Sequence, residues 1–380
     1  MRVRTSGEHV QTSQYSPALD GLRAICIAAV LLYHLDPGGW FRGGYLGVSV
    51  FFTLSGFLIV RNLVAEVSAT GRVDVVRFWS RRVQRLAAAT LATIAAVLVV
   101  TKITERGWST NGLFRSTLAA TFSMMNWHVI HVGRQNVLYT LGPLGPMWSL
   151  AVEEQFYLAI ALLFLLARGR HALRIVAIVL CLVTVVSVAI SATLNDYLPR
   201  LEFGTDTRAA ELALGALLAL AVHRWPTLFS RLVVMKRAIG AASLVVLVLL
   251  FTSRFGSPEV LFQGWIFLVG LLSVAVIIAL MTEGNLARAA SWPPLVALGR
   301  ISFALYLVHW PIILITPAPI LGMSGLAADG VRAAMCLVAA WLLHVVVEQP
   351  VRALRSTPQR ILLVWLTTSI ALSAAAYALL

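Results

Sequence analysis

Charged residues are scarce in this chain. Only 12% of its 380 residues are Asp, Glu, Lys or Arg, whereas 59% are hydrophobic, and the mean hydropathy is +0.86. A soluble globular domain has about twice that charged fraction, so the composition excludes a soluble protein. Acidic residues are the scarcer charged class, 16 against 30 Lys and Arg, which leaves a formal net charge of +14.

Cysteine is also rare, with three residues at positions 26, 181 and 336. Their spacing matches no metal-ligand pattern, so no metal site is predicted. Each lies in a hydrophobic run, where a free cysteine usually serves as a small packing residue. The sequence contains no internal repeat or low-complexity segment, which excludes a repeat array and disfavours a transporter built from inverted repeats.

Hydrophobic runs close to the ~20 residues that a spanning helix needs recur along the whole chain. They predict an all-α polytopic integral membrane protein with a ten-helix transmembrane core and an eleventh, C-terminal span. The outer connection over 104–145 contains TLAATFSMMNWHVIHV, which predicts a membrane-lying or re-entrant helix. The predicted spans are 22–35, 45–64, 86–103, 146–167, 173–193, 208–223, 238–253, 261–281, 298–317, 331–348 and 361–379.

The distribution of positive charge predicts the orientation of these spans. With a cytoplasmic N-terminus, most Lys and Arg residues fall in cytoplasmic ends and loops, as the positive-inside rule requires. We therefore expect a multi-pass protein of the cell membrane. Its basicity is attributed to topology, with room for an anionic ligand, and not to binding of nucleic acid.

The first span carries two ionisable groups. Arg23 and His34 are eleven residues apart, so in a helix they are separated by about 1100° of rotation and about 16 Å of rise. They therefore share one face at different depths, which suggests a lined path along the helix. An ionisable group inside a bilayer costs at least ~2.5 kcal/mol, so each is a candidate functional residue. The alternative is a satisfied contact between helices.

MWSLAVEEQFYL, residues 147–158, predicts a polar stripe. Ser149, Glu153 and Tyr157 recur at i, i+4 and i+8 on one helix face, whereas Glu154 points about 100° away. An ionised glutamate inside an apolar helix needs a partner, which favours a functional role. The alternative is a polar seam between helices.

FWSRRVQRL, residues 78–86, places Arg81, Arg82 and Arg85 in a cytoplasmic loop just before the third predicted span. Guanidinium groups bind phosphates through paired hydrogen bonds, so this cluster predicts a site for a phosphorylated ligand. An equally weighted alternative is that these arginines are ordinary positive-inside residues.

SFALYLVHWP, residues 302–311, places Tyr306 and His309 at i, i+3 just before the helix-disrupting Pro311. On the predicted topology, His34, Glu153 and His309 lie in the outer half of the membrane, whereas the loop arginines lie at its inner surface. A donor with a phosphorylated head and a long arm fits such a layout.

Taken together, six motifs resemble those of the acyltransferase-3 family of integral membrane O-acyltransferases, in that family's order. The likeness covers about 17–352, leaving a cytoplasmic polar tail over 1–16 and an extra span over 353–380. The motifs are LDGLRAICIAAVLLYH, GVSVFFTLSGFLIV, FWSRRVQRL, MWSLAVEEQFYL, TDTRAAELALGALLA and ISFALYLVHWP.

The resemblance implies a ten-span core that passes an acyl group, usually from cytoplasmic acyl-CoA, to a hydroxyl of an extracytoplasmic glycan, lipid-linked saccharide or macrolide-like molecule. It also implies that Arg23, His34, Glu153 and the loop arginines are functional. Two features depart from the family: RLAAAT follows the loop arginines where a proline is common, and the sequence ends at Leu380, whereas some members continue into a hydrolase-like domain. Any step performed by such a domain is expected to need another protein.

Acyl transfer from a thioester needs a base for the hydroxyl and stabilisation of the developing oxyanion. We expect His34 to be the base, with Glu153 orienting it, and Arg23 to bind the donor or the oxyanion. Ser149, Tyr157, Arg208, Tyr306 and His309 are expected to bind the acceptor or support the site, and an acylated Ser149 is a minor alternative. No bound cofactor is expected, because acyl-CoA acts as a co-substrate.

Two rival functions are consistent with the composition. In a proton-coupled transporter or flippase of an envelope precursor, the same His, Glu and Arg residues would relay protons. A non-catalytic scaffold is the other, and it is disfavoured by so many charges at membrane depth.

Overall fold

The structure is a computed structural model that describes residues 15–36, 39–104, 110–132, 142–169, 171–194, 198–231, 233–252 and 261–379. Most of the predicted tail 1–16 lies outside the described residues. The described part is helical and contains no strand, which confirms the all-α polytopic class. The helices are α1 (Pro17–Leu35), α2 (Gly47–Thr70), α3 (Val75–Arg82), α4 (Ala88–Thr104), α5 (Thr110–Thr121), α6 (Met125–Val132), α7 (Met147–Leu166), α8 (Ala172–Thr193), α9 (Leu198–Phe203), α10 (Thr205–Arg224), α11 (Pro226–Arg231), α12 (Val233–Thr252), α13 (Ile266–Leu280), α14 (Asn285–Ala290), α15 (Pro293–Arg300), α16 (Ser302–Ile315), α17 (Ala318–Leu321), α18 (Gly325–Leu343), α19 (Gln349–Ala353) and α20 (Pro358–Leu379).

Every predicted span overlaps one of these helices, but they are not equally suited to cross a bilayer. Within the described residues, 8 helices are long and apolar enough, or 9 if α15 and α16, which are bent by 65°, form one span. Two others fall short for different reasons. Helix α13 has only 15 residues, and α10 carries Arg208 and Glu211 in its interior. The count of ten or eleven spans therefore stays a prediction.

The third span begins earlier than the sequence predicted. Asp74 caps α3 by accepting a hydrogen bond from the backbone N–H of Arg77, and the helix continues through a π-helical segment, Val83–Ala87, into α4. Hydropathy marks only the apolar part of this rod, because arginine is a good helix former but a poor membrane residue. The loop arginines thus belong to the spanning helix.

Helices α2 and α10 pack backbone against backbone at the centre of the bundle. Gly56 faces the carbonyl of Leu212, and Gly215 faces the carbonyl of Thr53, so closely that a Cβ atom at either glycine would overlap the opposing oxygen. Small residues allow this approach between membrane helices. The contact holds the MWSLAVEEQFYL helix α7 and the Arg208 region against the same two helices.

Helices α5 and α6 form a hairpin in the segment that the sequence singled out. Its turn contacts the middle of α7, where the Gln155 side chain donates to the Ser123 carbonyl (2.8 Å) and to Asn126 Oδ1 (3.0 Å). Ser123 has a φ of 56°, a left-handed conformation that is uncommon for residues other than glycine. Gln155 therefore fixes a sharp turn beside the candidate site.

Helix α20, the extra C-terminal element, packs against α3, α4 and α5. The ring of Tyr377 contacts that of Phe114 at 5.6 Å, and Lys102 donates to the carbonyl of Leu379 (3.1 Å). This helix therefore covers the face of the bundle on which the arginine-bearing rod lies.

The two ends of the Val75–Thr104 rod allow a direct test of topology. In a Cys181→Ser background, which leaves only the buried Cys26 and Cys336, we expect Arg72→Cys to react with an impermeant maleimide only after the cells are permeabilised. Lys102→Cys should react in intact cells, because both positions are exposed and lie at opposite ends of the rod. The reverse labelling pattern would contradict a cytoplasmic N-terminus.

Candidate active site

A buried cavity lies between α1, α2, the π-helical segment, α7 and α16. One wall is the polar stripe that the sequence predicted on α7. The opposite wall is basic. The lining thus combines Ser149, Glu153 and Tyr157 with Arg23, Arg82 and Arg85.

Glu153 is held by two hydroxyl groups. Ser55 Oγ donates to its Oε1 (2.9 Å), and Tyr157 Oη donates to its Oε2 (2.9 Å). Glu153 and Tyr157 are therefore hydrogen-bonded along one helix face, at the predicted i, i+4 spacing, whereas Ser149 bonds to Tyr306 instead. Ser55 was not among the predicted site residues, although the family motif GVSVFFTLSGFLIV contains it.

Arg82 lies much nearer to Glu153 than the predicted depths implied. Its guanidinium carbon is 4.0 Å from the centre of the Tyr157 ring, a cation–π contact. Because Tyr157 is bonded to Glu153, acid and arginine share one cavity. The predicted separation, with Glu153 in the outer half and the arginines at the inner surface, is therefore corrected: the rod carries Arg82 up against α7.

The guanidinium groups differ in how their charge is balanced. Arg81 is exposed and pairs with Glu66 at 3.3 Å, on a larger cavity of about 680 Å³ that Arg82 and Arg85 also line. Arg82 and Arg85 are half-buried, and no carboxylate within the described residues forms an ion pair with either. A guanidinium without a counter-ion at membrane depth is expensive, so these two are suited to bind an anionic ligand.

Ser149 connects the cavity to α16. Its hydroxyl donates to Tyr306 Oη (2.7 Å), and Tyr306 donates to the Pro146 carbonyl (2.9 Å). Ser302, at the start of α16, also lines the cavity, and its buried Oγ finds no partner among the described residues. Ser302 was not predicted as a site residue, since a serine opening a helix is usually a cap.

Two histidines continue this polar path. The ring of His309 lies 5.5 Å from that of Tyr306 and 5.0 Å from that of His34, which Trp310 also contacts at 5.0 Å. The path therefore runs from the Glu153 cavity through Ser149, Tyr306 and His309 to His34.

Backbone carbonyls fix the tautomers of both rings. His34 Nδ1 lies 2.8 Å from the Val30 oxygen, and His309 Nδ1 lies 2.7 Å from the Tyr306 oxygen. A carbonyl only accepts, so each Nδ1 carries the hydrogen and each neutral ring presents Nε2 as a proton acceptor. Nε2 of His309 is buried and has no partner within the described residues.

The expected orientation of His34 by Glu153 does not agree with these contacts. The Val30 carbonyl holds the His34 tautomer, and the two oxygens of Glu153 accept from Ser55 and Tyr157. The physical reason is local: the Val30 carbonyl, one turn before His34 on the same helix, lies within hydrogen-bond reach of its Nδ1. Glu153 instead belongs to the arginine-lined cavity.

Arg208 has a different setting from the other predicted residues. It is 2% exposed, pairs with the fully buried Glu211 at 2.6 Å and donates to Ser49 Oγ (2.9 Å) and the Glu202 carbonyl (2.8 Å). Four of the five N–H groups of a guanidinium are thus used within the protein. Its predicted acceptor role stays a prediction, and its contacts favour a structural one.

No three His, Cys, Asp or Glu residues of the described chain converge as metal ligands do.

Comparisons with known proteins agree with the motifs. A family model described as "Acyltransferase domain" matches residues 16–317. O-acetyltransferase OatA of Staphylococcus aureus, in strains NCTC 8325 / PS 47 and MRSA252, is 34% identical over 320 residues, which cover 80% of this chain and 52% of the relative. The chain thus matches about half the length of these relatives. No solved structure matches.

The buried pair leads to a stability prediction. Arg208→Met should lower the free energy of unfolding by about 3–5 kcal/mol, because it leaves Glu211 buried and unpaired, and the double variant with Glu211→Met should recover most of that loss. Arg200→Met is the matched control, since the Arg200–Asp206 pair is partly exposed (29% and 31%) and should contribute less than about 1 kcal/mol. Unfolding in mixed micelles measures all three. An Arg208→Met protein that is fully stable but inactive would instead favour the acceptor role.

Proposed function

Because this chain belongs to the acyltransferase family, whose domain model matches residues 16–317, we propose that it is a membrane O-acyltransferase. In this proposal it moves an acyl group, acetyl or another short one, from cytoplasmic acyl-CoA to a hydroxyl of an extracytoplasmic or membrane-associated glycan, glycolipid or macrolide-like acceptor. The name of its relatives, O-acetyltransferase, supports the transfer of acetyl to oxygen.

The line of neighbouring polar side chains from the arginines to the histidines is the observation on which this proposal depends. Arg82 and Arg85 begin it, the Glu153 stripe continues it, and Ser149 and Tyr306 connect it to His309 and His34. An anionic donor head at one end and a proton-accepting imidazole at the other fit a long donor that reaches from the cytoplasmic side to an acceptor deeper in the bundle.

Phosphate groups of the donor would supply the negative charge that Arg82 and Arg85 do not find within the described residues. Arg82 and Arg85 line both the buried cavity and the larger cytoplasmic cavity, so a donor head bound there can send its thioester arm inward between them. Guanidinium groups bind phosphate oxygens through paired hydrogen bonds, which also fixes the orientation of the head.

The chemistry assigned to the residues is a single displacement. His34 Nε2 takes the acceptor's hydroxyl proton as the oxygen attacks the thioester carbonyl; the new C–O bond forms, the C–S bond breaks, and the proton passes from the imidazolium to the leaving thiolate. Arg23 and Ser302 line the cavity at the other end of the path, and Arg23 lies about 16 Å from His34 along α1, so both are assigned to binding the donor and not to the oxyanion beside His34. His309, beside His34, is the second proton acceptor on the path.

The experiment that tests this function measures acyl-CoA consumption by the purified, reconstituted protein. Envelope glycans and glycolipids are supplied as acceptors, and mass spectrometry detects their acylated products. A transferase releases free CoA in step with an acylated product. A transporter or flippase that uses the same residues to relay protons consumes no donor, so a lack of turnover with every acyl-CoA and acceptor fraction would reject the proposal.

We expect His34→Ala to reduce transfer by about 10²- to 10⁴-fold, since a positioned general base contributes that much, while donor affinity changes little. His223→Ala is the matched control, because His223 is exposed near the end of α10 and away from the path. Initial rates at saturating donor measure the effect. Turnover of His34→Ala at the wild-type rate would move the base to His309.

We expect Arg82→Ala to raise the KM for acyl-CoA with kcat nearly unchanged, the pattern of lost uniform binding. Arg82→Lys should recover only part of the affinity, because an ammonium keeps the charge but loses the bidentate geometry. Arg224→Ala, an exposed arginine at the end of α10, is the control. Equal donor affinities of wild-type and Arg82→Ala protein would show that the loop arginines serve topology alone.

A further inference from the structure

A second basic cavity, separate from the one that Arg81 lines, opens at the start of α1. Its volume is about 420 Å³, and five arginines line it: Arg23, Arg61, Arg85, Arg300 and Arg352. They come from α1, α2, the rod, α15 and α19, so the fold brings together charges from five separate helical elements. Arg61, Arg300 and Arg352 had no predicted role.

Few acidic residues balance the positive charge of these five arginines. Asp20 is the one acidic residue that lines the cavity; it lies 4.0 Å from Arg23 and accepts from the Tyr15 hydroxyl (2.7 Å). Arg352 is neutralised by the buried Glu348 at 3.1 Å. No carboxylate of the described chain pairs with Arg61, Arg85 or Arg300, and the buried Nε of Arg61 has no hydrogen-bond partner there.

The balance differs in the cavity that Arg81 lines. That cavity also contains five arginines, but Glu66 and Asp74 line it with them, and Arg72, Arg77 and Arg81 are exposed. Solvent screens exposed charges. Three arginines of the second cavity, Arg23, Arg61 and Arg85, are half-buried, against two of the other cavity, Arg82 and Arg85. The second cavity is therefore better suited to the more highly charged of two phosphate groups.

Arg85 connects the two cavities, because it lines both of them and the buried cavity as well. Arg85 lies in the π-helical segment Val83–Ala87. A second π-helical segment, His344–Glu348, contacts the first segment. A π-turn rotates the following side chains relative to an α-helix, and such turns are frequent at functional sites.

We infer that the second cavity binds a phosphate monoester, and that its ligand is the 3′-phosphate of the acyl donor, with the donor's diphosphate on the other side of Arg85. This inference rests on the proposed function for the identity of the donor. A monoester carries a charge of about −1.5 to −2 at neutral pH, which matches the uncompensated Arg61, Arg85 and Arg300.

The test compares the affinities of two unacylated probes, coenzyme A and 3′-dephospho-coenzyme A, for the full chain in nanodiscs of neutral lipid. Wild-type protein should bind coenzyme A about tenfold more tightly. Arg61→Gln and the exposed Arg300→Gln should each bring this ratio close to one and leave the affinity for the dephospho probe nearly unchanged. Arg355→Gln, an exposed arginine that lines none of the three cavities, should keep the wild-type ratio.

Three outcomes would overturn the inference. The first is a wild-type ratio of one. The second is a ratio that neither Arg300→Gln nor Arg61→Gln changes. The third is that adding anionic lipid to the nanodiscs brings the wild-type ratio to one, while Arg61→Gln and Arg300→Gln proteins bind less of that lipid than wild-type protein does. That result would identify the ligand as a lipid headgroup. Because binding needs no turnover, parallel transfer assays separate the two proposals: transfer with an unchanged ratio rejects only the phosphate site, whereas the expected ratios without transfer to any acceptor reject the proposed function.

Discussion

A charge inside a helical membrane bundle needs a counter-charge or a ligand, and this constraint divides the arginines of the protein into two groups. Arg208 is satisfied by Glu211, Ser49 and a backbone carbonyl, deep between α2 and α10. Arg82 and Arg85 have no acidic partner in the described chain and line open space. In the first arrangement the charges are paired, and removing one partner is strongly destabilising. In the second, the unpaired positive charge favours binding of an anion. The satisfied pair is thus part of the scaffold, and the unsatisfied arginines are the residues to which the proposed function assigns the donor.

Much of this arrangement could be predicted from the sequence, because composition and periodicity report on the bilayer directly. The all-α polytopic class, the polar face of Ser149, Glu153 and Tyr157, and the family all follow from local patterns, and each predicted span overlaps a helix. The start of the third span could not be predicted from hydropathy, since Asp74 caps a helix whose first turns are basic. The Asp74 cap and the helix propensity of arginine start the helix before the hydrophobic run begins.

The partners of the site residues were not predictable, because they come from distant parts of the chain. Ser55 reaches Glu153 across 98 residues, and Tyr306 reaches Ser149 across 157. A motif specifies which residue types lie on one helix face, whereas the facing helix decides what they touch. For His34, the backbone of its own helix supplied the partner, and Glu153 was left to the arginine-lined cavity. The acid and the base of the predicted pair thus lie at two ends of one path.

This separation has a mechanistic consequence. An imidazole oriented by a carbonyl, unlike one oriented by a carboxylate, gains no opposite charge when it is protonated, so its imidazolium is less stabilised. A second imidazole beside it changes the balance, because His309 presents its own buried, unpartnered Nε2 next to His34 and can share the proton. Glu153 lies at the other end of the path, where Ser55 and Tyr157 donate hydrogen bonds to it and Tyr157 also contacts Arg82. In the proposed function, a carboxylate in that position weakens the binding of a phosphorylated donor and so favours the release of CoA after transfer.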